Sequence, residues 1–142
     1  MRFWDASALA PLLLRGERTA ESRQLLTADA EVVTWWTTGL ECLSALYRPV
    51  HRQRLPVGVA SRAEQILARL GDTWMEVTPT EPVRETAARL LPSHPLRIGD
   101  ALQLAAALVA ADFRAPTLPF VCYDDRLAAA ARREGFPVQG IR

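Results

Sequence analysis

Arg2-Phe3-Trp4-Asp5-Ala6-Ser7-Ala8-Leu9 decides how this chain is read. Three β-prone residues stop at an acid, and from residues 6 to 14 the pattern turns helical, ending near Gly16. The same order returns near the other end. Residues 118–123 read as a strand, Asp124 follows, and residues 125–134 read as a helix. The stretch between repeats the alternation. Residues 19–27 form a helix that pairs with the first as a hairpin, and residues 31–36 (EVVTWW) are a β-branched and aromatic strand. Thr37 or Thr38 caps a helix running to about Arg48, where Pro49 restricts continuation. Residues 59–70 are periodic through Ala63, Ile66, Leu67 and Leu70, and Gly71 ends them. A short strand at 74–77 precedes a helix at 81–91 capped by Thr80, then a loop at 92–95. Residues 98–111 are apolar on nearly every side, as in a helix buried mid-domain, and 137–139 form a last edge strand.

That order, β-α-α-β-α-α-β-α-α-β-α-β, predicts an α/β fold: a three-layer α/β/α sandwich around a mostly parallel central sheet of four to five strands. Ligands of such sheets bind beyond the carboxyl ends of the strands, where strand order reverses. The 142 residues suit a single domain spanning 1–142. No apolar run reaches the roughly 20 residues of a membrane span, and no secretory leader precedes Asp5, so no membrane partner and a cytoplasmic location are expected.

Composition excludes several chemistries. All 17 basic residues are Arg, so no mechanism can use a catalytic or phosphate-binding lysine. Net charge is only +1, which is no bulk polycation. Two cysteines, Cys42 and Cys122, make no disulfide framework, and neither of the two histidines stands at zinc-ligand spacing from them.

Four acids then stand out. Asp5 and Asp124 end the first and fourth strands, Glu41 lies in the opening turn of the helix after the second strand, and Asp100 opens Asp-Ala-Leu-Gln-Leu-Ala-Ala-Ala-Leu. All four fall along one edge of the predicted sheet. Asp5, Asp100 and Asp124 each have an ordinary use as helix caps, and Glu41 suits the positive end of a helix. The apolar settings of Glu41 and Asp100 fit that use less well. Carboxylates gathered in such a setting raise one another's pKa unless a cation is present. An all-carboxylate set selects Mg²⁺ or Mn²⁺ over Zn²⁺, and the substrate class suited to such an ion is a phosphodiester.

The chain resembles the PIN-domain family, and within it the VapC-type toxins of toxin–antitoxin modules. The resemblance rests on Phe3-Trp4-Asp5-Ala6-Ser7-Ala8-Leu9, on Thr38-Gly39-Leu40-Glu41-Cys42-Leu43-Ser44-Ala45-Leu46, on Leu96-Arg97-Ile98-Gly99-Asp100-Ala101-Leu102-Gln103-Leu104-Ala105-Ala106-Ala107, and on Phe120-Val121-Cys122-Tyr123-Asp124-Asp125-Arg126-Leu127. It covers nearly the whole chain, and the four pieces together, in this order, carry it. The resemblance implies a PIN-like sheet and a Mg²⁺- or Mn²⁺-dependent endoribonuclease that acts as the toxin of a toxin–antitoxin pair. It also implies a cognate antitoxin and a homodimer. Asp5, Glu41, Asp100 and Asp124 are the implied catalytic acids, with Asp5, Asp100 and Asp124 as metal ligands and Glu41 as ligand or base. Cys122 departs from the Thr or Ser that many relatives carry at that position. The D-x-x-L spacing to Leu127 selects Asp124 over Asp125 as the ligand.

Supporting candidates are Ser7, two residues past Asp5, and Asp125. Arg15, Arg18, Arg48, Arg97 and Arg126 are candidates for phosphate contact. Trp35 and Trp36 face opposite ways on a strand, so at most one meets any given surface. Leu9, Leu12, Leu13, Leu25 and Leu26 enrich the first hairpin enough to suggest a groove for an antitoxin helix. His51 and His94 read as incidental loop residues. The competing reading is a non-catalytic PIN-like binding protein or complex subunit. A phosphoacceptor receiver domain is rejected, since it needs an acidic pair after the first strand and a late Lys.

Overall fold

The computed structural model describes residues 1–141. Five strands form one sheet: β1 (Arg2–Trp4), β2 (Val32–Trp35), β3 (Met75–Val77), β4 (Phe120–Val121) and β5 (Val138–Gln139). Their order is β3-β2-β1-β4-β5 and every pairing is parallel. Seven α-helices connect them: α1 (Ala6–Leu9), α2 (Thr19–Ala28), α3 (Thr38–His51), α4 (Val57–Gly71), α5 (Glu81–Ser93), α6 (Ile98–Ala110) and α7 (Asp125–Arg133).

The period of two along each strand divides the core. Phe3, Val33, Trp35 and Phe120 face one way and pack with α5, α6 and α7. Trp4, Val32 and Val121, their neighbours in sequence, face the other way and pack with α1, α3 and α4. Helix α6 is the centre of the first layer. Seven of its residues from Ala101 to Leu108 are buried, four of them alanines that let neighbouring backbones approach. The second layer consumes the hairpin leucines: Leu9 and Leu13 are buried, and Leu12, Leu25 and Leu26 pack against the same cluster. The expected open groove along that hairpin is therefore filled from within.

Local differences from the predicted elements have local causes. The first helix keeps only four α-helical residues and tightens into a 3₁₀ turn at Ala10–Leu12, where Pro11 has no N–H to extend the α ladder. Helix α3 continues through Pro49 to His51, and α5 through Pro92 to Ser93, so each proline costs one hydrogen bond rather than the helix. Strand β4 covers only Phe120–Val121, and it starts late because a 3₁₀ turn at Ala115–Thr117 and then Pro119 occupy the approach to it. No helix of the described residues is long and apolar enough to cross a membrane.

The chain lays β2 and β3 on one side of β1, then returns to lay β4 and β5 on the other. The reversal falls between β1 and β4, where the Asp5 N–H donates to Val121 O at 3.0 Å. The crevice beyond the carboxyl ends of these two strands is the switch point of the sheet.

Candidate active site

Asp5 leaves β1 at that switch point and caps α1, its carboxylate accepting the Ser7 N–H at 3.0 Å. It is only 5% exposed. Asp124 leaves β4 next door and caps α7, accepting the Leu127 N–H at 2.8 Å. Capping and convergence are thus one arrangement: the geometry that starts each helix turns its acid toward the crevice. Glu41 enters from the first turn of α3 and Asp100 from the first turn of α6. Asp5, Glu41, Asp100 and Asp124 all line one cleft of about 920 Å³, together with Ser7, Tyr123, Asp125, Arg48, Arg97 and Arg126.

Hydrogen bonds hold Glu41 in place. Its Oε1 accepts from Thr37 Oγ1 at 2.9 Å and from Gln103 Nε2 at 2.9 Å, and Gln103 also donates to Thr38 Oγ1 at 3.1 Å. Gln103 is a residue that sequence reasoning missed, and Thr37, expected as a cap, makes no capping bond and gives its hydroxyl to Glu41 instead. A signal was present: Gln103 is the one polar residue inside the apolar run of α6, three residues past Asp100 and so on its face.

Ser7 and Cys122 bind the two halves of the sheet edge. The Tyr123 N–H donates to Ser7 Oγ at 2.9 Å, and Ser7 Oγ donates to Cys122 Sγ at 3.8 Å. The thiol reaches Asp5 Oδ2 at 3.8 Å, while the Asp124 N–H donates to the sulfur at 3.3 Å. Cys122 therefore lies between two of the four acids. Tyr123 is fixed in turn, its hydroxyl 2.9 Å from Ser22 Oγ and its ring 4.8 Å from the Arg18 guanidinium.

The electrostatics are those of an acid cluster. Burial pushes the Asp5 carboxyl above its ordinary value, opposed by hydrogen bonds from Ser7 and reinforced by the Glu41 charge. Burial, then Asp124, then Asp5 push Asp100 up, and Arg97 and Arg126 only partly offset this. Burial, helped by Asp5 and Glu41, drives the Cys42 thiol up to about 12, so it is no nucleophile at neutral pH. Asp5 and Asp100 thus resist ionisation in this setting, which is the condition a divalent cation relieves. The donor set, all carboxylate oxygen, is that of a hard ion. Among the described residues no three His, Cys, Asp or Glu side chains converge tightly enough to hold an ion as they stand. Asp124 is engaged as a cap and Glu41 by Thr37 and Gln103, so closure on an ion needs side-chain movement.

The remaining predicted residues divide. Arg48, Arg97 and Arg126 line the cleft, whereas Arg15 and Arg18 do not, Arg18 pairing instead with Glu21 at 2.9 Å. Trp35 is buried and Trp36 is 53% exposed. His51 is the last residue of α3. His94 is not incidental: it is buried, with Nε2 2.8 Å from Glu134 Oε1.

Comparison with known proteins agrees with this architecture. The family model described as PIN domain matches residues 2–133. Ribonuclease VapC47 of Mycobacterium tuberculosis (strain CDC 1551 / Oshkosh) is 36% identical over 137 residues, covering 96% of this chain and 93% of that protein. Among solved structures, a toxin-antitoxin complex from Klebsiella pneumoniae superposes with a TM-score of 0.67 at 20% identity, covering 99% of this chain and 97% of its own. FitAcB from Neisseria gonorrhoeae gives a TM-score of 0.67 at 16% identity, over 99% of this chain and 97% of that one. These two likenesses concern the fold.

Proposed function

The chain belongs to the PIN-domain family, and from that premise we propose that it is a Mg²⁺- or Mn²⁺-dependent endoribonuclease acting as the toxin of a toxin–antitoxin pair. The observation that carries the proposal is the meeting of Asp5, Glu41, Asp100 and Asp124 in one cleft at the switch point of the sheet, in a chain 36% identical to a ribonuclease.

Asp5, Asp100 and Asp124 would hold the ion. When bound, it would supply charge to the phosphodiester oxygens and acidify the attacking water. The protein's own groups do the rest. Glu41 presents a carboxylate held at Oε1 by Thr37 and Gln103, and would serve as the base of the site. Arg97 and Arg126, at the starts of α6 and α7, orient the phosphate and oppose the charge of the acids. Ser7 supports the site by holding Tyr123, and so the turn that carries Asp124. Asp125 supports it as a further acid at the start of α7.

The protein acts on RNA in the cytoplasm, is neutralised by a cognate antitoxin, and forms a homodimer. Trp36 (53% exposed), Leu40 (64%) and Ile98 (70%) supply apolar surface for protein contact at the cleft end of the sheet. The test is cleavage of RNA by the purified protein with Mg²⁺ or Mn²⁺, with and without chelator, beside Asp5→Asn and Asp100→Asn. Cleavage that stops in chelator and in both variants is expected. Equal cleavage by the variants and the wild type would sink the assignment.

A further inference from the structure

Helix α3 carries a second feature on the stripe that holds Glu41. Positions 41, 45, 48 and 52 are spaced by four, three and four residues, so they share one face. Along that face stand Glu41, Ala45, Arg48 and then Arg52, the cap of the helix. From Glu41 to Arg52 the stripe runs about 16 Å at an α-helical rise.

Past the cap the chain doubles back. Gln53 takes a φ of 56°, in the left-handed region. Its N–H donates to Val50 O at 2.9 Å, and the Arg54 N–H donates to Pro49 O at 2.8 Å, the paired bonds that close a helix through a left-handed residue. This turn sets Arg54 beside its predecessors instead of farther along the axis. Ala45, Arg48, Pro49, Arg52 and Arg54 line one depression of about 240 Å³. Ala45 and Arg48 also line the acid cleft, so the two hollows adjoin at this point of α3, where the side chain of Ala45 is small. Among the described residues only Arg18, Arg84 and Arg89 of the arginines have acidic partners, so Arg48, Arg52 and Arg54 are marked by their shared depression rather than by lacking one. A helix C-terminus draws cations through its dipole, but the dipole does not require them on the stripe that starts at Glu41.

We propose that this arginine-lined depression carries the phosphates of single-stranded RNA on one side of the scissile bond, so that the strand leaves the acid cleft over Ala45 and along α3. The inference rests on the nuclease reading of the cleft. A phosphodiester among four acids gains little attraction there, so affinity must come from flanking phosphates meeting fixed cations. RNA fits better than an acidic polypeptide because the depression adjoins the cleft where the phosphodiester reacts. A regular polyanion seated in one hollow continues into the other.

The test compares Arg52→Ser/Arg54→Ser with Arg132→Ser/Arg133→Ser, an equal loss of charge in the exposed last turn of α7. Binding of a fluorescein-labelled single-stranded RNA of mixed sequence is followed by anisotropy in EDTA between about 50 and 200 mM salt. The first variant should lower the slope of log affinity against log salt by about 1.4, two contacts at about 0.7 each, and the second by less than half of that. Arg52→Lys/Arg54→Lys should restore most of the slope, separating lost charge from lost folding. Equal slopes for the two serine variants overturn the proposal, and wild-type cleavage would then leave the nuclease reading standing. The expected slopes in a protein that never cleaves RNA uphold the track and sink the nuclease reading. A wild type that binds no RNA sinks both. Loss of poly-glutamate binding with RNA binding intact assigns the depression to an acidic polypeptide and also overturns the proposal.

Discussion

Gln103 donates from Nε2 to Glu41 Oε1 at 2.9 Å, joining the buried centre of α6 to the first turn of α3. Gln103 is fully buried, so its amide has no water to fall back on. Gln103→Leu keeps most of the volume and removes the donor. It should cost about 1–2 kcal/mol of stability, read from urea unfolding, and lower single-turnover cleavage on the order of tenfold as Glu41 loses one of two restraints. A variant that unfolds earlier yet cleaves at the wild-type rate would show that Thr37 alone suffices.

The acid cluster predicts opposite effects of one substitution on stability and activity. Asp100 is pushed up by burial and by Asp124 and Asp5, so in chelator its charge opposes folding. Asp100→Asn should raise the thermal midpoint in EDTA by about a few degrees while lowering metal-dependent cleavage by on the order of 10²-fold. Added Mn²⁺ should raise the midpoint of the wild type more than that of the variant. Differential scanning fluorimetry reads both, and an Asp100→Asn midpoint below that of the wild type in EDTA counts against the repulsion argument.

The sequence disclosed the architecture because strands and helices here follow different periods with little ambiguity. Phe3 and Trp4, or Phe120 and Val121, are adjacent residues on opposite faces of a sheet buried on both sides. Nor did the four acids hide, since each stands just after a strand or at a helix start. Their clamps were less visible. Gln103 was legible as a polar residue in an apolar run, but its partners Thr38 and Glu41 lie more than 60 positions away in the chain. The link from Ser7 to Tyr123 spans a separation of 116. Prolines mislead in one direction: the pattern has Pro49 restricting its helix and Pro92 opening a loop, but both helices continue through them, with Leu46 and Leu90 buried in the preceding turn. His94 looked incidental because its partner Glu134 sits 40 residues on.

That pair yields a pH dependence. Glu134, the cap of α7, accepts from Arg89 Nη2 at 3.0 Å and meets His94 Nε2 at 2.8 Å, joining the end of α5 to the end of α7. Burial pushes the Glu134 carboxyl up, but Arg89 and His94 outweigh it and hold it below its ordinary value of 4.5. A carboxyl with a lower pKa folded than unfolded stabilises above the unfolded value and loses that contribution as pH falls through the folded one. Glu134→Gln should therefore cost about 1 kcal/mol near neutrality, discounted for the exposure of Arg89. The gap to wild type should close below pH 4.5. A gap that stays constant from neutral to acid pH in urea titrations would remove the ionic argument.

Gly140 guards the cleft from behind. Its φ is +96°, and a Cβ there would stand 2.5 Å from Tyr123 Cε1 and 2.9 Å from Cys122 O. Neither can yield easily, since Tyr123 is held by Ser22 and Arg18 and Cys122 is in the core. Gly140→Ala should cost about 2–3 kcal/mol, and any folded fraction should cleave more slowly because Tyr123 precedes Asp124. A variant as stable as the wild type would mean that the chain after β5 moves aside.

Cys122 offers the sharpest test of how the two halves of the edge are joined. Its sulfur receives the Asp124 N–H at 3.3 Å and the Ser7 hydroxyl at 3.8 Å, and its thiol lies 3.8 Å from Asp5 Oδ2. These are long, weak bonds suited to a large, soft atom. Burial and the neighbouring Asp5 keep the thiol protonated at neutral pH, so its one proton is shared between Asp124 O at 3.4 Å and Asp5 Oδ2, and it is never an anion beside the acid. Cys122→Ser retains a donor and two acceptor sites on a smaller atom, and should keep cleavage within about fivefold of wild type. Cys122→Ala removes the donor to Asp5 and the acceptor for Asp124, and should lower cleavage by about tenfold or more with a loss of about 1–2 kcal/mol. Single-turnover rates and urea midpoints for the pair decide the matter. If alanine and serine behave alike, the sulfur only fills space, and Asp5 and Asp124 are held by their helix caps alone.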